Sequence, residues 1–200
     1  MFLRLKRDLP RALINRISHK YSIGRNNYTI RRMHSGSKDS SSSSKPIDEY
    51  GRPYPPKTGN YYLPNIATDA VCTRVIDGQV EILMITRGGS AEKGKLALPG
   101  GFVNYNERPE NACVRELMEE TGVKGSNPTL VGVFGDPLRD PRKHVISITY
   151  AVECDPNSQP KADDDAADAK FYKLEDILNR KDIAFDHLEI IKKFKEKFLN

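Results

Sequence analysis

The stretch GFVNYNERPENACVRELMEETGV, residues 101–123, decides how this 200-residue chain reads. Pro109 suits the first turn of a helix and Gly122 its left-handed C-terminal cap, so the spacing predicts a helix over 108–120. At about 100° per residue, Glu116, Glu119 and Glu120 share one side of that helix. Cys113, Val114 and Leu117 lie on the neighbouring sector and face a core. Like charges at i,i+4 are destabilising unless something positive neutralises them. Hard oxygen donors of this kind suit Mg²⁺, Mn²⁺ or Ca²⁺ better than zinc. The adjoining Gly100-Gly101 pair lets backbone carbonyls approach the same ion. For three Glu taken alone, an acidic solvated helix face is the plainer account.

Working outward, Ala70 to Ile76 and Val80 to Thr86 flank Asp77-Gly78, a hairpin-type turn signal. Leu96 to Leu98 reads as a short strand ending at Pro99-Gly100-Gly101. Thr129 to Phe134, Val145 to Val152 and Ala169 to Leu174 read as further strands, with Ile146, Ile148, Tyr150 and Val152 on one face. Asp186-x-x-Glu189 resembles a capping box at the start of a last helix, whose apolar side carries Ile190, Ile191, Phe194 and Phe198. Strands and helices interleave, so an α/β layered fold is expected over residues 61–200.

The charge is unevenly placed. Residues 1–60 hold 13 Lys+Arg against 4 Asp+Glu, or +9, while 61–200 hold 19 against 23, or −4. The basic excess therefore belongs to the N-terminal segment, and nothing in the acidic remainder suggests nucleic-acid binding. Leu5, Leu9, Leu13 and Ile17 recur every four residues with Arg4, Arg7, Arg11 and Arg16 off that stripe. Arg-rich, acid-poor and amphipathic is the pattern of a mitochondrial transit peptide, and a matrix location is expected, with the cytoplasm as the alternative. The Ser40 to Ser44 run and Pro46, Pro53, Pro55 and Pro56 continue it as a linker expected to be disordered to about residue 60. The longest apolar run, Ile82 to Ile85, is far too short to insert in a membrane. Cys72, Cys113 and Cys154 match neither a disulfide scaffold nor zinc spacing.

Taken whole, the box reads G-x5-E-x7-R-E-U-x-E-E-x-G-U, where U is bulky aliphatic, running from Gly101 through Glu107 and Arg115 to Val123. At about 5–7% usage per fixed position, a chance match in a chain this long is on the order of 10⁻⁷. It resembles the signature of the Nudix hydrolase family. That resemblance implies an α/β/α sandwich with a mixed sheet and a loop-helix-loop metal site. It also implies hydrolysis of a nucleoside diphosphate linked to another moiety. Under it, Glu116, Glu119 and Glu120 hold a divalent ion, Mg²⁺ or Mn²⁺, and the carbonyl of Gly100 or Gly101 completes the shell. Glu107 and Arg115 brace the loop and helix by ion pairing. Catalytic roles fall to Glu119 and Glu120, with Glu119 the box candidate for general base. Asp165, in the run Asp163-Asp164-Asp165, is the loop candidate.

The resemblance covers about residues 65–198. Lys93 to Val103, Gly135 to Arg142 and Ala184 to His187 are similar to segments of ADP-ribose pyrophosphatase-type members. The implied reaction is ADP-ribose to AMP and ribose 5-phosphate. Arg87, Arg139 and Arg142 would then meet phosphates or the terminal ribose, or else form surface ion pairs, and Asp140 would orient Arg139. NADH, another nucleoside diphosphate sugar and an oxidised nucleotide are the other substrates. A non-catalytic ADP-ribose sensor is the other class, and a small-molecule nucleotide is the partner in every case. A homodimer stays open.

Overall fold

The computed structural model describes residues 51–52, 54, 57, 61–163 and 166–200. The targeting and linker readings of the N-terminal segment fall almost wholly outside these, and so does Asp165. Folded contacts nonetheless begin before residue 61, since Arg52 Nη1 donates to the Pro137 carbonyl at 2.6 Å.

The predicted hairpin is β1 (Asn65–Ile76) and β2 (Gln79–Arg87), antiparallel and in register from Thr73/Ile82 to Ile76/Gln79. Asp77 and Gly78 both take positive φ, 49° and 78°, the tight primed turn that matches strand twist. Beyond this hairpin end the two strands part. Toward its start β1 pairs instead with β4 (Gly100–Phe102), Asp69 opposite Gly100, while β2 takes β3 (Leu96–Ala97). The segment from Leu96 to Phe102 is thus wedged between them, pinned by a 2.8 Å bond from the Ala70 N–H to the Pro99 carbonyl. This wedge plants Gly100 and Gly101 in the middle of the sheet.

The remaining elements are α1 (Pro109–Thr121), β5 (Gly125–Phe134), β6 (Val145–Cys154), β7 (Ala166–Lys173), α2 (Leu174–Leu178) and α3 (His187–Phe198). β6 runs parallel to β1 and antiparallel to β5, and β7 lies antiparallel to β2, so the sheet is mixed. Alternate residues of the strands serve opposite layers. Ala70, Cys72, Leu83, Tyr150 and Val152 pack with Cys113 and Leu117 of α1. Val71, Ile82 and Met84 pack with Ile177 of α2 and Ile190, Ile191, Phe194 and Phe198 of α3. The architecture is an α/β/α sandwich, as expected. Each of these buried aliphatic side chains contributes about 1.5–3 kcal/mol before conformational entropy is counted.

α1 closes at Gly122, φ 66°, whose N–H reaches the Met118 carbonyl. α3 starts where predicted, but the capping box does not form. Asp186 makes no side-chain cap bond, because its carboxylate is taken by Arg139. Glu189 pairs with Lys192 instead. Cys72, Cys113 and Cys154 are free thiols. Among the described residues, no helix is long and apolar enough to cross a membrane.

Candidate active site

α1 lies against β4, and the contact is between carboxylates and a glycine backbone. The Gly100 N–H donates to Glu120 Oε2 at 2.8 Å. A Cβ on Gly101 would come within 2.4 Å of the Glu116 carboxylate, so only glycine lets that carboxylate lie flat on the strand. Glu120 is 7% exposed, and burial together with the Glu116 charge pushes it up to about 8 even though the Gly100 bond opposes this. Burial raises Glu116 as well, against the pull of Arg115.

Arg115 ties the box together. It grips Glu107 with Nε at 2.8 Å and Nη2 at 2.9 Å, and its Nη1 reaches Glu116 at 2.7 Å and Glu119 at 2.8 Å. Its Nη2 also meets the Phe102 carbonyl at 3.1 Å. The Arg115 bonds, helped by the Asn104 N–H, hold Glu107 down at about 2. Glu107 and Arg115 therefore fasten the loop to the helix.

A cleft of about 340 Å³ opens over β4, within the range of nucleotide-sized sites. Gly100, Gly101, Glu116 and Glu120 line one side, and Arg87, Arg139, Asp140 and Arg142 are also on its wall. Glu119 is not brought into it; this carboxylate is turned to Arg115 on the outside of α1, half-exposed. Among the described residues, no three His, Cys, Asp or Glu side chains converge as one cluster for an ion. The donor set still fits a divalent cation. Two desolvated carboxylates face one cleft, and burial is the first cause that pushes each toward protonation, a cost that a divalent cation would offset.

The arginines do different work from one another. Arg139 has a side chain only 6% exposed, joined to Asp186 by bonds of 2.9 and 2.7 Å and 3.5 Å from Asp69. Its fork is spent on carboxylates, so it braces the floor of the cleft rather than offering donors to a phosphate. Asp140 does not orient Arg139; it holds Arg142 through Nε at 3.0 Å and Nη2 at 2.7 Å. Burial alone would raise Asp140, but these bonds leave it lowered. Arg87 gives Nε to the Ala91 carbonyl at 2.9 Å and makes no carboxylate pair among the described residues. Sequence reasoning missed Asp69, which is 7% exposed, lines the cleft and accepts from Ser147 Oγ at 2.5 Å. A lone acid beside the apolar run of β1 was the available signal. His187, fully buried and lowered by that burial, accepts the Leu98 N–H at Nδ1, 2.9 Å.

Residues 67–194 match the NUDIX domain family. The chain belongs to the Nudix family. It carries the box of a Nudix pyrophosphohydrolase intact. It is 42% identical over 134 residues to the ADP-ribose pyrophosphatase of Methanocaldococcus jannaschii, covering 67% of this chain and 75% of that one. It is 31% identical over 135 residues to the ADPR responsive transcriptional repressor NtrR of Acinetobacter baylyi, covering 66% of this chain but only 53% of the repressor. Among solved structures, the NUDIX domain of Shewanella oneidensis NrtR complexed with ADP ribose superposes with a TM-score of 0.64 at 26% identity, over 68% of this chain and 90% of that one.

Proposed function

We propose that this Nudix pyrophosphohydrolase cleaves ADP-ribose to AMP and ribose 5-phosphate with Mg²⁺ or Mn²⁺. The observation that carries the reading is the polarity of the cleft. The carboxylates of half-buried Glu116 and buried Glu120 share it with the guanidinium groups of Arg87 and Arg142. A cleft with both signs of charge suits a diphosphate that arrives with divalent cations. The similarity to an ADP-ribose pyrophosphatase supports ADP-ribose as that diphosphate.

Glu116 and Glu120 would hold the ion, with Gly100 and Gly101 beside them. When bound, it supplies phosphate charge neutralisation and an acidified water. Arg87 orients the phosphate oxygens by charge-assisted hydrogen bonds, which are stronger than neutral ones, and Arg142, paired with Asp140, adds positive potential beside it. Glu119, tied to Arg115 Nη1 at 2.8 Å, takes the proton of the attacking water once it swings off the guanidinium. Asp165 is the second candidate for that proton. The Arg-rich, acid-poor sequence of the N-terminal segment supports a mitochondrial matrix address, and the −4 charge of residues 61–200 supports a nucleotide rather than a nucleic acid as ligand.

A panel of ADP-ribose, NADH, nucleoside diphosphate sugars and an oxidised nucleotide, run with and without Mg²⁺, tests the reading. ADP-ribose is expected to turn over fastest and only with metal. ADP-ribose turned over no faster than the others ends the substrate claim. The similarity to NtrR favours an ADP-ribose sensor as the second reading. ADP-ribose bound tightly without turnover in Mg²⁺ selects it.

A further inference from the structure

Phe185 sits just ahead of α3 with its backbone in the left-handed region, φ 52°. Bulky side chains rarely adopt that conformation. Where one persists the surrounding structure enforces it, and such strain gathers at ligand sites. The half-buried ring lines two hollows at once. One is the box cleft, and the other is a neighbouring depression of about 540 Å³ walled by Glu92, Lys95, Leu138 and Pro141. Two guanidinium groups are drawn to the ring, Arg87 at 4.9 Å and Arg142 at 5.7 Å from its centroid.

A cleft that captures a diphosphate needs cations that are held in place yet unspent. A carboxylate partner holds an arginine but cancels its charge and takes its donors, which is the state of Arg139 with Asp186 and of Arg142 with Asp140. An aromatic face attracts the cation through its quadrupole and takes no N–H donor. We propose that Phe185 is a positioning residue, its ring holding the Arg87 guanidinium at the cleft wall with N–H donors left for an anionic diphosphate. This rests on the reading of the cleft as a diphosphate site. Arg142, 5.7 Å from the same ring, is fixed by Asp140 instead, so the dependence on the ring falls on Arg87.

The test uses the full chain with Phe185→Leu, Phe185→Tyr and Phe185→Trp, alone and combined with Arg87→Ala. Leu keeps bulk and the same backbone conformation while removing the π face; Tyr and Trp keep that face. The readouts are KM and kcat for ADP-ribose in Mg²⁺, and the calorimetric Kd of inorganic pyrophosphate. Phe185→Leu is expected to raise KM and the pyrophosphate Kd about tenfold, with kcat within about twofold of normal and Tyr and Trp near wild type. In the Arg87→Ala background the same change is expected to do much less, since the two act as one unit. Unchanged affinity in Phe185→Leu, full additivity with Arg87→Ala, or Tyr and Trp as weak as Leu each overturns the proposal. If Leu fails to fold, Phe185→Met, also bulky and non-aromatic, replaces it in the cycle. A wild-type protein that binds pyrophosphate but ignores ADP-ribose sinks the substrate reading alone, and the pyrophosphate cycle still decides Phe185. One that binds neither in Mg²⁺ overturns both.

Discussion

Replacing Glu120 with Gln removes a charge from the place where burial makes it most costly, and the consequence has a sign that depends on pH. In the folded protein the Glu120 carboxyl is raised from its ordinary 4.5 to about 8, by burial first and Glu116 repulsion second among the raising causes. Because the folded value lies above the unfolded one, the protonated form favours the fold. That contribution is fully present below about pH 4.5 and is lost as pH rises through about 8. At about 1.4 kcal/mol per unit, the metal-free protein loses roughly 3 kcal/mol from this group between about pH 5 and pH 8. Gln carries no charge at either pH and keeps an acceptor for the Gly100 N–H. Urea denaturation in chelator should therefore find Glu120→Gln close to wild type near pH 5 and more stable by roughly 3 kcal/mol near pH 8. Subtracting the two proteins cancels the opposite trend of His187, whose burial-lowered value costs stability as pH falls below its ordinary 6.5. Millimolar Mg²⁺ should stabilise the wild type, more so toward high pH, and leave the variant unmoved. Parallel stability curves for the two proteins in chelator, or a variant still stabilised by Mg²⁺, would refute the reasoning.

Gly101→Ala should lower kcat by about a hundredfold or more while circular dichroism stays native, because its Cβ would meet the Glu116 carboxylate at 2.4 Å and push a cleft group aside; normal turnover would contradict the close contact. Gly122→Ala should cost about 1 kcal/mol in urea denaturation with kcat unchanged, since φ 66° suits glycine and the residue lies at the C-terminal end of α1. Arg87→Ala should raise KM for ADP-ribose about tenfold in steady-state assays, as one unneutralised guanidinium is lost from the cleft. Residues 1–50 fused to a fluorescent protein should direct it to mitochondria in imaged cells, and a diffuse signal would remove the targeting reading.

Much of the site was legible because its geometry is local. The 100° step of an α-helix alone puts Glu116, Glu119 and Glu120 on one side, and Pro109 and Gly122 mark the ends of α1 by their own φ preferences. Asp77-Gly78 likewise selects its turn without help from the rest of the chain. These follow from bonds and torsions within a few residues, which the sequence alone determines. What lay beyond it were the partners. That Asp186 is claimed by Arg139 rather than capping α3 depends on a neighbour 47 residues away, while Asp140 takes Arg142 two residues on and Glu119 takes Arg115 one helical turn back, each a choice among several local partners. Asp69 becomes a cleft residue only because Leu96 to Phe102 wedges between β1 and β2 and carries Gly100 beside it. Side chains with several donors or acceptors have more than one good partner. For Asp186 and Asp69 the choice is settled by packing across the sheet and not by spacing along the chain.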